Sequence, residues 1–227
     1  MSSDTITEKG PAQSDPRGAT PRELSSTVVV EAPSSAFFAG NPAAVGVPVF
    51  VAGGVALGLV LIGYVSAAGV GSSIPIIGAA TGIGLLISTV WAAAVGQTVV
   101  ASIFGLFAGF WLSYAVLVLG LLHNWFAITA GDAIHAQGLF LITWLVIIVL
   151  LTLATLRLPL AFTVLFVLID ATLAVVLAAT INSSSNLSKV GGVLALAFSA
   201  VGAYIFLGIG SQATGGPGVP LGRSVLK

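Results

Sequence analysis

This chain of 227 residues is 57% hydrophobic and only 6% charged, with seven basic and seven acidic side chains that cancel at neutral pH. Soluble domains carry about 25% charged residues, so a water-solvated fold is excluded, and no basic patch exists to bind nucleic acid. The chain has no cysteine, which excludes disulfides, iron–sulfur clusters and thiol catalysis.

Met1–Ser35 is rich in Ser, Thr and Pro and holds eight of the fourteen charged side chains. That composition predicts a disordered tail, running over residues 1–40. No apolar run follows a basic start there, so it is not read as a secretory signal. From Ala43 to Gly222 the only charges are Asp132, Arg157, Asp170 and Lys189. A membrane-spanning helix needs about 20 apolar residues. Breaks at Gly, Pro and polar clusters divide residues 41–210 into six such stretches: Gly46–Ala68, Pro75–Val95, Val99–Leu122, Ala136–Leu156, Pro159–Thr180 and Val190–Gly210. The sequence therefore predicts an all-α polytopic membrane protein, a bundle of six transmembrane helices that has the lipid bilayer as its solvent. Residues 211–227 form a Gly- and Pro-rich C-terminal tail, expected to be irregular.

The basic residues set the orientation. With both termini cytoplasmic, the inner side carries Lys9, Arg17, Arg22, Arg157, Arg223 and Lys227, and the outer side only Lys189. The short loops leave no room for an inserted soluble domain. They and the missing cysteines are compatible with a bacterial plasma (inner) membrane.

Three glycine pairs have GxxxG spacing, one in each of the first three spans: Gly54/Gly58, Gly78/Gly82 and Gly105/Gly109. Residues four apart share a helix face, so each pair makes a groove for another backbone. The groove serves packing inside the bundle, or else a subunit interface or narrow pore wall.

Enzyme chemistry is missing. His123 and His135 both fall in the expected outer loop, and no catalytic motif, metal-binding acid cluster or cofactor signature is present. The chain is read as a protein without enzymatic activity, metal or cofactor. Asp170 stands apart, because it lies midway along the fifth span. An ionised Asp at a helix centre costs about 2.5–3.5 kcal/mol on insertion scales, so it should face the protein interior or a water-filled path. One reading is a hydrogen bond to a neighbouring helix. The other is a proton-titratable or cation-attracting group on a pathway. Thr163 lies seven residues earlier, on roughly the same face. At the start of the first span, Asn41 suits an N-cap and Pro42 the first helical position. The free N–H groups of such a helix start can also face an anion.

Asn41-Pro42-Ala43-Ala44-Val45-Gly46-Val47 resembles Asn-Pro-Ala-Pro-Leu-Gly-Leu, the signature of the acetate uptake transporters, a family of bacterial succinate–acetate permeases and fungal ammonia/acetate exporters. Gly96-Gln97-Thr98 with Phe110-Trp111 is similar to the family's Gly-Asn-Thr and Phe-Trp. Asp132-Ala133, Ala136-Gln137, Trp144, Thr155-Leu156-Arg157, Gly192 and Tyr204 follow in order. The resemblance covers about Asn41–Gly210. It implies six spans, a homohexamer with a pore through each protomer, and uptake of acetate or succinate with protons. It also implies an apolar constriction, carried here by Phe50, Phe107 and Ile169. Phe107 stands where the family has Tyr, and Asp170 where the bacterial pattern has Thr. Ala92 and Leu85 stand where a glutamate and a glutamine are typical.

Two mechanisms follow as expectations. In the first, a small carboxylate and protons pass the ring of Phe50, Phe107 and Ile169, with neutral Asp170 available to donate a hydrogen bond. In the second, the protein is an uncoupled channel for a small solute such as acetate, ammonia or ammonium.

Overall fold

The computed structural model describes residues 39–226, and these are entirely helix, turn and irregular chain with no strand among them. The expected tail over residues 1–40 lies outside the described residues except for its last two. Six stretches are long and apolar enough to cross a membrane, so the chain is an integral membrane protein. They comprise α1 (Ala43–Ile62), a composite second span, α3 (Thr98–Leu122), α4 (Ala133–Ala154), α5 (Leu160–Ile181) and α6 (Ser185–Ala213).

The second span changes helical form twice. A 3₁₀ segment (Ala67–Ser73) leads into a π-helical stretch (Pro75–Ile83) and then α2 (Gly84–Ala94). Glycine and Pro75 weaken the regular α ladder here, and the wider π turn follows. Within that turn the Thr81 hydroxyl donates to the Val49 carbonyl at 2.9 Å, across to α1. Gly53 makes room for it, since a Cβ there would lie 2.7 Å from Thr81.

Around the bundle α1 packs most extensively on α6, α6 on α5, α5 on α4, and the second span on α3 and α1, while α3 meets α4 only lightly. The three glycine pairs are used inside the protomer. A Cβ at Gly54 would strike Ser199 and Phe198 of α6 at 2.3 and 2.4 Å. At Gly58 it would strike Leu196, and at Gly82 it would strike Leu112 of α3. Gly78 lies against Ala115, Gly105 against Thr89, and Gly109 against Trp144. The outward face of α4 exposes Leu139, Ile142, Val146, Leu150 and Leu153. Lipid is the solvent that makes such a face stable.

Two loop details differ from the sequence reading. Residues 123–132 form the loop between α3 and α4, so His123 ends α3 and stacks on Trp125 at 5.8 Å, whereas His135 lies in the first turn of α4 rather than in the loop. The C-terminal segment is irregular but pinned. Its Leu221 carbonyl accepts from the Ala161 amide at 2.9 Å, and its Leu226 amide donates to the Leu156 carbonyl at 3.1 Å. Tyr204 of α6 donates to the Pro220 carbonyl at 2.8 Å. The Leu221 and Leu226 contacts satisfy backbone groups that the α4–α5 turn leaves open.

Gly192 lies against the backbone of α1, where an added Cβ would be 2.9 Å from both the Gly58 carbonyl oxygen and the Ile62 amide nitrogen. Gly192→Val should therefore push α1 from α6 and cost about 1–3 kcal/mol by overpacking. A lowered Tm in detergent is the expected outcome, and an unchanged Tm would contradict this packing.

Candidate functional site: an apolar path through the bundle

Three cavities follow one another along the bundle. The first, of about 160 Å³, is lined by the start of α1 and α3, the start of α5 and the end of α6, including Ala43, Val99, Leu158 and Ile205. The second, of about 20 Å³, lies deeper and is walled by Leu57, Trp111, Ile148, Ile169, Thr172 and Phe198, among others. The third, of about 390 Å³, is larger and partly polar, with Tyr114, Gln137, Thr180, Ser184 and Ser188 on its walls. Along α1, α3 and α5 the lining residue numbers rise from the first cavity to the third, and along α6 they fall. This is what a path parallel to antiparallel spans requires.

Phe50 and Phe107 belong to both the first and second cavities. They form the partition between them, edge to face with ring centroids 4.8 Å apart. Phe198 of α6 adds a ring 5.6 Å from Phe50, and Phe166 of α5 stacks 6.2 Å from Phe107. Ile169 lines the second cavity on the far side of the partition. The three sequence-predicted constriction residues thus share one cavity, each at most 5% exposed. A space of about 20 Å³ holds one water-sized body, so this is the narrowest of the three. Sequence reasoning missed Phe166 and Phe198. The usable signal was Gly54, whose missing side chain is what lets Phe198 lie beside Phe50.

The opening motif shapes the first cavity. Asn41 Oδ1 accepts from the Ala43 amide at 3.0 Å, so Asn41 caps the helix although regular α geometry begins at Ala43. The amides of Ala44, Val45 and Gly46 bond to the carbonyls of Asn41 and Pro42. The first-turn N–H groups are therefore already used, which overturns the idea that they face an anion. Pro42 is buried and Ala43 lines the cavity. Gly46 has to be glycine, because a Cβ would lie 2.3 Å from the Phe104 ring that also lines it.

Asp170 lines none of these three cavities. One residue along a helix is about 100° of rotation, so with Ile169 on the path Asp170 turns toward α4. There its Oδ2 lies 2.8 Å from the Thr152 hydroxyl, which also donates to the Ile148 carbonyl at 2.9 Å. The acid therefore has a partner on a neighbouring helix. Its Oδ1 is buried and has no protein partner. Thr163 shares that face of α5 and is buried, with its hydroxyl unpartnered too. Among the described residues no group of His, Cys, Asp or Glu could hold a metal.

An all-helical membrane protein with a graded path and an aromatic partition belongs, by architecture, with proteins that pass small solutes. The profile of the GPR1/FUN34/yaaH family matches residues 25–214. The chain belongs to that family, the one identified from the Asn41 motif. It is 33% identical over 133 residues to the meiotically up-regulated gene 86 protein of Schizosaccharomyces pombe. That match takes in 54% of this chain and 42% of the yeast protein, so the chain spans less than half of that relative. The fold is similar to the solved structure of the bacterial acetate channel SatP, with a TM-score of 0.71, 21% identity, and coverage of 81% of this chain and 99% of that one.

Thr152→Val would remove the hydroxyl and leave the half-buried Asp170 carboxyl without its partner. The expected loss is about 1–3 kcal/mol of stability, read as a lower Tm in detergent. Asp170→Asn keeps an amide oxygen that can accept from Thr152 and should lose less; equal losses would argue against the pair.

Proposed function

We propose that this protein is a membrane transporter, not an enzyme, and that it carries acetate or a similar small carboxylate across the membrane together with protons. The observation that carries this reading is the alignment of three cavities through the bundle with Phe50 and Phe107 between the first two. An apolar ring of this size resists leakage of water and ions while yielding to a solute with a small apolar body. Family membership and the likeness to an acetate channel support the choice of solute.

Asp170 enters as a positioning residue. Thr152 has one hydroxyl hydrogen and two oxygens within reach, Ile148 O and Asp170 Oδ2. Neutral Asp170 brings the second hydrogen and satisfies both contacts, whereas an anion leaves them sharing one. In this reading the neutral acid fastens α5 to α4 and so holds Ile169 in the wall of the middle cavity. Uptake then rises as pH falls, because the fastened state is the protonated one.

The proposal extends to topology and assembly. Arg157 and Arg223 lie toward the end where the first cavity opens, since the Leu226 amide bonds to Leu156 there, and Lys189 follows Ser188 at the opposite end. The positive-inside rule then sets the first cavity and both termini on the cytoplasmic side. The chain is divided into an N-terminal tail over residues 1–40, a six-span body over 41–210 and a C-terminal tail over 211–227. It works as a homo-oligomer, a hexamer by family resemblance, in a bacterial inner membrane.

Labelled-acetate uptake into proteoliposomes tests the coupling. Accumulation above equilibrium under an inward proton gradient, collapsed by a protonophore, is the expected result. Equilibration without accumulation would instead mean a channel, the reading that the SatP neighbour favours. Absence of acetate flux would refute the choice of solute.

Two variants test the parts. Phe107→Ala should raise flux severalfold and admit larger solutes, measured with labelled acetate and a longer carboxylate. Asp170→Asn should make the pH profile of uptake shallower by the share that Asp170 sets; an unaltered profile and rate would remove Asp170 from the mechanism.

A further inference from the structure

The middle cavity is apolar except at two side chains. Trp111 of α3, 1% exposed, is a wall residue whose indole Nε1–H is buried and has no protein acceptor. Thr172 of α5, 2% exposed, gives its hydroxyl hydrogen to the Leu168 carbonyl at 2.7 Å, which leaves only lone pairs on Oγ1. Leaving a buried donor unpaired is costly, and few native groups are left so. The residues around the narrowest part of the path therefore bring one unpaired donor and one free acceptor among otherwise apolar side chains.

No titratable or charged side chain lines this cavity. α1 contributes Phe50 and Leu57, α4 Ile148 and α6 Phe198, while α3 and α5 add only aromatic and aliphatic neighbours to Trp111 and Thr172. Asp170 is adjacent in sequence but bonds to Thr152 on α4. An ionised carboxylate here would have no counter-charge, and an unpaired charge in an apolar site is strongly disfavoured. A carboxylate also only accepts hydrogen bonds, so Thr172 Oγ1 would face it as a second acceptor. The undissociated acid has one of each: its carbonyl oxygen accepts from Trp111 and its O–H donates to Thr172.

We propose that Trp111 Nε1–H and Thr172 Oγ1 are the specificity pair of the constriction, and that they select the undissociated carboxylic acid over its anion. This deepens the carboxylate-transport reading and rests on it. Solute and proton then cross the constriction as one neutral molecule, and the pH dependence of uptake comes first from the solute itself. The cavity accommodates it by rotation of the Phe50 and Phe107 rings.

The test uses the full chain in liposomes with equal pH on both sides and a potassium diffusion potential set by valinomycin. Protein-free liposomes supply the background. Flux of labelled acetate should ignore the sign of the potential and fall about tenfold per pH unit once acetate is mostly ionised, as the neutral fraction does. Labelled acetamide is never ionised near neutrality and has the same acceptor and donor, so its flux should lack the tenfold fall per pH unit and should be independent of pH once Asp170 is replaced, as in Asp170→Asn. Trp111→Phe and Thr172→Val should each lower both fluxes about five- to tenfold, the effect of one hydrogen bond. Acetate flux that follows the potential would overturn the proposal. So would unchanged fluxes in both variants when their thermal unfolding matches the parent. If a variant does not fold, the potential measurement on the unaltered protein still decides. No acetate flux at any pH would sink the carboxylate reading alone; acetamide flux sensitive to Trp111 would still support the pair, and its absence would overturn it.

Discussion

The fit of α6 into the glycine face of α1 is the contact on which the path depends. Lipid tails are as apolar as leucine, so burying hydrocarbon does not draw these helices together as it would in water. Close packing does, and packing is closest where side chains are missing. Gly54 admits Phe198 and Ser199, and Gly58 and Gly192 let the two backbones nearly touch. With α6 held there, Phe198 reaches within 5.6 Å of Phe50, and the wall of the narrow cavity is complete on that side. A larger residue at Gly54 would thus disturb both the helix pair and the constriction.

The aromatic partition is assembled from four helices, with Phe50, Phe107, Phe166 and Phe198 contributed by α1, α3, α5 and α6 respectively. Edge and offset contacts between rings are favourable without being rigid, because each ring can turn about its own bonds. That combination suits a barrier that must exclude water yet admit a solute. The cavities on either side differ in character: the first is wholly apolar in its lining residues, whereas the third has hydroxyl and amide groups. A solute entering from the polar end would exchange water for hydroxyls before meeting the rings.

Asp170 illustrates how much a single residue step matters in a helix. Ile169 faces the path, and the next residue, rotated by about 100°, faces α4. A midspan acid marks a site by its cost alone. Which neighbour meets that cost is a matter of helix phase, and here it is Thr152. The same logic applies to Thr163, whose shared face with Asp170 was visible from its spacing and whose buried, unpartnered hydroxyl was not.

The resemblance of the Asn41 motif identified the family, while hydropathy and residue spacing determined the membrane solvent, the six spans to within a few residues at most ends, and the Asn41 cap. These are local properties of the chain, set by the thickness of the bilayer and by backbone hydrogen bonding. Phe50, Phe107 and Ile169 were named as constriction residues by family resemblance, and they line one cavity. Trp111 was named only as half of a family Phe-Trp pair, and Thr172, Phe166 and Phe198 were not singled out. Nothing local distinguishes them from other apolar or hydroxyl residues in their spans. Tertiary structure also decided that the second span would pass through a π turn, that the first-turn amides of α1 would be occupied, and that the C-terminal segment would be tied to α5 and α6. In a chain that is apolar on every helix face, composition cannot tell the lipid side from the protein side. The fit of glycines to side chains on neighbouring helices, together with contacts such as Thr152 to Asp170, sets the rotation of the spans, and that rotation chooses which residues line the path.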